Sequence, residues 1–461
     1  MSSSIPDHLR ATLRLAIPVS IGQLGHILLG VTDSLMVGTL GAVPLAGASL
    51  GHGVFVLLLV FAAGMASAIT PLTAIADGEG KPDDARNIVR QGLLQNVLTA
   101  TLILAAAWGL AELLPLLGQP PEVVAQAAPY LRVMGLSFIP MLVFMSVRNF
   151  IEGLSYTKPA MVIILLANLV NVAGNWVFIH GHFGMPALGL TGAGISSVLV
   201  EIFAAIALLL YVSRARAFAR YRPLFHRGAL DLPLQRRLFR LGLPSGTQWL
   251  FESGSFTFCA VMMGWLGTTA LAAHQIALNL AAVSYMAILG LSNASMIRVG
   301  NALGRRDATD LKRAGFSALA MALTVMALAA TTFVLLRWYF PTLFVSDPAV
   351  IELAASLLVI AALFQLSDGT QAVGLGILRG MTDVTVPMIV AIVAYWLIGV
   401  PASYVFAFVL GWGPEGVWLG FVVGLTVAGL SFIFRFRMQY RRLRALWKTE
   451  QGSQALADPA V

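Results

Sequence analysis

Three acids stand inside long apolar stretches of this chain: Asp33, Glu252 and Asp368. A carboxylate at the centre of a bilayer costs about 3 kcal/mol on insertion scales, so each one calls for a reason. Glu252 lies about a dozen residues into its stretch, near mid-membrane at about 1.5 Å per residue. Asp368 is well inside a later stretch, and Asp33 is in the outward-facing part of the first. Polar side chains recur around all three at steps of three and four. Gln248, Glu252 and Ser255 form one stripe, and Gln365, Asp368 and Gln371 another. Gln275 and Asn279 are four apart with His274 adjacent, His26, Gly30 and Asp33 share a face, and Asn168, Asn171 and Asn175 share another. Residues at this spacing are neighbours on a helix, so the stripes point into a bundle interior or a wet cavity rather than into lipid.

Each stripe also has a plainer reading. An Asn or Gln in a membrane helix serves as interhelical glue as readily as it serves a ligand. His26 and His274 can be packed and hydrogen-bonded, and Asp33 can snorkel toward a helix end. For Glu252 and Asp368 we expect no Lys or Arg in the same layer to form a structural ion pair. The functional reading is then a site for an exchangeable cation: H⁺, Na⁺ held as a metal ion by the Glu252 and Asp368 oxygens, or a cationic substrate.

Other chemistries lack their residues. Cys259 is the only cysteine, which rules out an intrachain disulfide and a thiolate metal site. No HExxH or GxxxxGK[ST] pattern is present and no GxSxG stands on a strand–helix turn, so neither hydrolysis nor ATP binding is indicated, and we expect a non-enzyme without a cofactor.

The elements that position these residues follow from composition. The 461 residues are 58% hydrophobic and 11% charged, whereas soluble domains carry roughly 25% charged residues. Lipid must solvate much of the surface, and apolar runs of about 20 residues span a bilayer as helices. Spans are expected near 13–37, 46–74, 92–114, 130–151, 160–180, 188–212, 240–263, 270–296, 314–338, 351–378, 386–410 and 415–436. Arg10 and Arg14 precede an apolar run too long for a signal peptide, so it reads as the first span. Basic residues cluster on one side, at Lys81, Arg86 and Arg90, from Arg214 through Arg227 to Arg240, from Arg298 to Arg313, and from Arg435 to Lys448. The positive-inside rule places both termini and the central loop in the cytoplasm of a bacterium, the chain being multi-pass in its inner membrane. The net charge of +8 is therefore a topology signal, with lipid contact as a partner and no nucleic acid.

A shift of 226 residues superposes one half on the other. Leu15-Ala16-Ile17-Pro18 meets Leu241-Gly242-Leu243-Pro244, and Gly38-Thr39-Leu40-Gly41 meets Gly264-Trp265-Leu266-Gly267. The expected fold is an all-α membrane protein with twelve transmembrane helices in two six-helix, pseudo-symmetric lobes around a central cavity. Its parts are an N-terminal lobe (1–212), a basic cytoplasmic linker (213–239), a C-terminal lobe (240–438) and a cytoplasmic tail (439–461), in a monomer. The acids are not duplicated, because Glu252 aligns with His26 and Asp33 with Cys259, so each half holds its own constellation.

At this point the chain resembles the multidrug and toxic compound extrusion (MATE) family, NorM-type branch, over nearly its whole length. The resemblance rests on Pro18 with Val31-Thr32-Asp33-Ser34-Leu35-Met36-Val37-Gly38, on Pro244-Ser245-Gly246 followed by Glu252, and on Ala272-Ala273-His274-Gln275-Ile276. Arg298-Val299-Gly300-Asn301-Ala302-Leu303-Gly304 and Gly376-Ile377-Leu378-Arg379-Gly380-Met381-Thr382-Asp383 extend it. It implies export of small organic cations against inward H⁺ or Na⁺, with Glu252 and Asp368 at the cation-coupling positions. It also implies an N-lobe site of Asp33 with Asn171 and Asn175, and cavity contacts at Gln275, Tyr285 and Asp347, to which the polar stripe adds Asn279. Some relatives carry an aromatic hydroxyl one turn before the tenth-span acid, where Phe364 stands here. Two alternatives are weighed. A flippase for a lipid-linked precursor would want intramembrane Lys or Arg, and an intramembrane transferase would want a clustered His/Asp constellation near one interface; neither is read from the sequence.

Overall fold

The computed structural model describes residues 5–222 and 229–457, and every regular element among them is helical. Twelve helical segments follow one another: α1 (Ile5–Gly38), α2 (Ala42–Gly78), α3 (Pro82–Leu117), α4 (Pro121–Gly153), α5 (Lys158–His180) and α6 (Gly189–Arg214), then α7 (Leu232–Trp265), α8 (Thr268–Gly304), α9 (Ala308–Leu335), α10 (Pro348–Gly380), α11 (Thr385–Val409) and α12 (Gly413–Ala457). Eleven of these are long and apolar enough to cross a membrane; α7 falls short. Its apolar run is diluted by Gln248, Glu252, Ser253 and Ser255, so the least hydrophobic span is the one that carries a central acid.

The surface pattern is that of a protein in lipid. Leu98, Leu102, Leu169, Leu328, Leu397 and Phe434 are exposed, while Gln91, Asn96, Asn171, Asn175, Gln365 and Gln371 are buried. Without a hydrophobic drive between helices, close backbone approach must hold them together. Gly420 and Gly424 show how: a Cβ at Gly420 would lie 2.1 Å from the Ser403 nitrogen, and one at Gly424 would lie 2.8 Å from the Ala394 carbonyl. Larger residues at either position would push α12 away from α11.

α11 is irregular. Residues Val393–Gly399 and Val405–Val409 form π-helical turns. Pro401 explains the first, because it has no N–H to donate and its ring blocks the carbonyl four residues back, so the ladder widens to i→i+5 bonds.

Contacts divide the chain into two compact units. One holds the stretch up to Ser20, Ala74–Gly80 and the chain from Phe251 on; the other holds Ile21–Thr73 and Lys81–Leu250. These boundaries follow packing, whereas the halves of the repeat follow sequence. Within the first unit the opening of α1 is held to α8, where an Arg298 guanidinium nitrogen donates to the His8 carbonyl at 2.8 Å and to Thr12 Oγ1 at 2.6 Å. In the same unit Asn301 Nδ2 donates to Asp77 Oδ2 at 3.0 Å. Within the second unit the start of α7 is held to α3 through Gln235 Nε2 and Gln91 Oε1, 2.8 Å apart.

The expected linker over 213–239 contains a short 3₁₀ turn, Arg216–Tyr221, whose Phe218 and Tyr221 are buried beside Tyr156 and Phe150. Residues 223–228, and with them Arg227, lie outside the described residues, as do 458–461. The expected tail continues α12 as one helix to Ala457.

Candidate functional site

Each unit holds a carboxylate centre of its own. In the second unit Asp33 is reached from two neighbouring helices. Asn171 and Asn175, one turn apart on α5, both donate through Nδ2 to Asp33 Oδ1, at 2.8 and 2.6 Å. Ser197 Oγ on α6 lies 3.2 Å from Asp33 Oδ2 and 3.1 Å from the Ala193 carbonyl, so its one proton can be given to either. The i, i+4 spacing of the two asparagines is what brings both amides to one oxygen. Three donors within reach of a single carboxylate suit its ionised form, since charge-assisted hydrogen bonds are roughly twice as strong as neutral ones. The third asparagine stays outside this centre. Asn168 Nδ2 donates to the Gly25 carbonyl at 3.1 Å, joining α5 to α1. His26, two turns before Asp33, does not enter the centre either. Its Nε2 is buried without a partner and its ring stands edge-on to Phe144 at 6.5 Å.

In the first unit Glu252 on α7 and Asp368 on α10 lie close enough for their charges to act on one another. Both also act on the phenols of Tyr285 on α8 and Tyr395 on α11. The expectation that no base shares this region is corrected, because Arg379, buried in the last turn of α10, interacts electrostatically with Glu252. The reason is geometric. Helical side chains lean toward the N-terminus, so an arginine at the end of a span reaches back into it. A second intramembrane base, Arg148, is also buried, where its Nε donates to Glu152 Oε1 at 2.7 Å. The expectation that intramembrane arginines are absent is corrected with it.

The stripe beside Asp368 is polar and incompletely satisfied. Gln365 Nε2 donates to Ser284 Oγ at 2.5 Å. Among the described residues Gln365 Oε1, both amide atoms of Gln371 and the Tyr395 hydroxyl are buried without partners. Buried polar atoms are nearly always paired in native proteins, and these four stand unpaired in the unit that holds the carboxylate pair. Among the described residues no group of three or more His, Cys, Asp or Glu side chains is placed to hold a metal ion. A cation here would rest on the two carboxylates with neutral oxygens of tyrosine and glutamine, a donor set of the hard, oxygen-only kind.

The remaining candidates fall elsewhere. Gln275 and Asn279 stand exposed on α8. Asp347 is the N-cap of α10, its Oδ1 accepting from the Ala349 N–H at 2.9 Å, about 32 Å along the helix from Asp368. Phe364 packs among Phe256, Trp418 and Phe421. His274 is buried against Trp418, with both ring nitrogens unpartnered among the described residues. Three participants were not anticipated. Ser197 carries only the weak signal of a hydroxyl in an apolar span, Arg379 stands just past the expected tenth span (351–378), and Tyr395 lies in the π turn, where 3.6-residue periodicity does not apply.

Comparison with known proteins follows the same lines. The MatE family model matches residues 18–177 and 244–405. The matches begin at Pro18 and Pro244, and 244 − 18 = 226 is the repeat shift read from the sequence. A probable multidrug resistance protein NorM of Rhizobium meliloti (strain 1021) is 38% identical over 448 residues, 96% of this chain and 96% of that protein. Its namesake in Bradyrhizobium diazoefficiens is 37% identical over 443 residues, 95% of each. The fold is similar to that of the eukaryotic MATE transporter AtDTX14, with a TM-score of 0.83 at 20% identity, covering 96% of this chain and 99% of that one. It is also similar to an outward-facing multidrug resistance MATE family transporter of the MOP superfamily, with a TM-score of 0.87 at 21% identity, covering 95% of this chain and 97% of that one.

Proposed function

Because the chain belongs to the MatE family of transporters, we propose that it is a secondary active multidrug exporter that moves organic, mostly cationic compounds out of a bacterial cell in exchange for H⁺ or Na⁺. The observation that carries this reading is the Glu252–Asp368 pair, with Tyr285, Tyr395 and Arg379 in electrostatic reach. Two carboxylates and one guanidinium leave one net negative charge when all are ionised. One monovalent cation neutralises it, and H⁺, Na⁺ or an organic cation can each be that cation. Their occupancies exclude one another by charge rather than by shape. Exchange becomes vectorial when the outward state favours the ion and the inward state favours the substrate, and a differential of a few kcal/mol suffices.

The Asp33 centre supplies a second element. As an ionised acid, Asp33 ties α1 to α5 and α6 through up to three accepted bonds. Protonation removes the charge and turns one acceptor oxygen into a donor, so the tie weakens at the moment an ion arrives. In this reading the chain is an inner-membrane monomer with cytoplasmic termini and needs no cofactor. Residues 1–212 and 240–438 act as lobes, joined by the linker at 213–239 and followed by the tail at 439–461. Neither arginine revives the flippase alternative, since Arg148 is already paired and Arg379 is a single charge.

The test is uptake of a fluorescent organic cation by everted vesicles with Na⁺ and pH gradients set independently. Glu252→Gln and Asp368→Asn are expected to abolish ion-driven uptake and to remove the ion dependence of substrate binding on purified protein. Wild-type, ion-sensitive binding and uptake in both variants would move coupling away from this pair.

A further inference from the structure

A further acid lies inside the membrane segments, and no step above uses it. Glu201 sits mid-way along α6, about 18 Å from the Gly189 end and about 20 Å from Arg214 at 1.5 Å per residue. Leu199, Ile202, Ile206 and Leu210 form the exposed apolar face of this helix. At 3.6 residues per turn, Glu201 and Ser197 point away from that face, and their i, i+4 spacing makes them neighbours. Ser197 already touches the Asp33 carboxylate. Glu201 Oε2 is buried, and among the described residues no donor reaches it.

The surroundings offer no counter-charge. The elements packed on α6 are α2, α4, α5 and the 3₁₀ turn before the linker. The titratable groups inside them are His52, Tyr130, Arg132, Arg148 and Glu152, with His26 and Asp33 on α1, and Arg132 is paired with Glu112 on α3. Arg148 and Glu152 satisfy each other, and no charged group acts on Glu201. With Oε2 buried and unpartnered, the ionised carboxylate bears a desolvation cost at that oxygen, which a proton there relieves.

We propose that Glu201 is a second proton-binding carboxylate of this unit, in series with Asp33 through Ser197 and one turn nearer the Arg214 end of α6. The role rests on the exporter reading. In the step, the Ser197 hydroxyl gives its proton to the Glu201 carboxylate and takes one from the Asp33 carboxyl. Asp33 ends ionised, Glu201 ends neutral, and the charge of the unit is unchanged. The step carries a proton about 6 Å along α6 toward its basic end. It also restores the clasp on Asp33, so Glu201 resets the site that an arriving proton had loosened.

The experiment uses the full chain, purified and reconstituted, with ethidium as the organic cation. Acid-minus-alkaline infrared difference spectra are recorded for wild type, Glu201→Gln and Glu201→Asp. Proton-driven ethidium export is measured on the same vesicles. A carboxyl C=O band that is lost in Glu201→Gln and shifted in Glu201→Asp is the expected result. Export in Glu201→Gln is expected to fall by at least about tenfold, with rescue by Glu201→Asp. Ethidium affinity should stay near that of wild type, since Glu201 belongs to no substrate site. Identical spectra in wild type and Glu201→Gln overturn the proposal, as does undiminished export in a variant that has lost the band. If wild type exports no ethidium under any gradient, the exporter reading falls, while the spectra still decide whether Glu201 takes up a proton. Should Glu201→Gln fail to fold, Glu201→Asp carries both measurements, and an unshifted band there counts against the proposal.

Discussion

Replacing Arg148 by Met separates the cost of an unpaired buried charge from the worth of the pair itself. Arg148 and Glu152 lie one turn apart on α4, are 8% and 2% exposed, and meet at 2.7 Å. Breaking a buried pair from one side typically costs about 3–5 kcal/mol, because the partner charge is left without compensation. Replacing both members with apolar residues of similar volume is often close to neutral. Arg148→Met is therefore expected to shift the folding equilibrium by roughly a hundred- to several-thousand-fold, at 1.4 kcal/mol per tenfold. Arg148→Met with Glu152→Leu should recover most of that loss. The assay is reversible unfolding in mixed detergent followed by tryptophan fluorescence, compared across the four members of the mutant cycle. Equal destabilisation by the single and double changes would refute the reasoning, since the loss would then come from arginine packing and not from the orphaned carboxylate.

Two further outcomes follow from the geometry. Tyr395→Phe removes a buried, unpartnered hydroxyl near the acids, so the ion dependence of substrate binding should weaken about 5- to 30-fold, the equivalent of about 1–2 kcal/mol, while stability is unchanged or improved. A destabilised variant with intact ion dependence would give the hydroxyl a structural role instead. Reporter fusions at Gly304 should be cytoplasmic and those at Pro120 and Gly413 periplasmic; alkaline phosphatase activity at Gly304 would invert the topology.

The helical class and the repeat were legible because both are written in coarse signals, namely hydropathy and the Pro and Gly punctuation at shared offsets. The ends of the helices were less so. α1 begins at Ile5, well before the apolar run, since a helix continues through the polar headgroup zone where hydropathy says nothing. Spacing put Asn171 and Asn175 on one face of a helix, while their pairing with Asp33 on another helix came from the family resemblance. Arg379 was missed because a residue's place along a span does not fix where a long side chain carries its charge. Asp347 shows the reverse. Asp followed by Pro348 is a helix-start signal in its own right, N-cap then N1, readable without any family resemblance.

The widened turn in α11 also makes that helix tolerant of a change in length that would ruin its neighbours. Deleting one residue from a regular helix rotates everything beyond the deletion by about 100°, which in a packed bundle turns interior residues toward lipid. Within Val393–Gly399 each turn already holds one residue more than an α-turn. A single deletion there can be absorbed by closing i→i+5 bonds to i→i+4, so that Gly399, still under α12, keeps its bearing. The same slack offers Tyr395 a second setting without any deletion: as the wide turn migrates along the helix, the phenol swings by one residue step while both ends of α11 stay where they are.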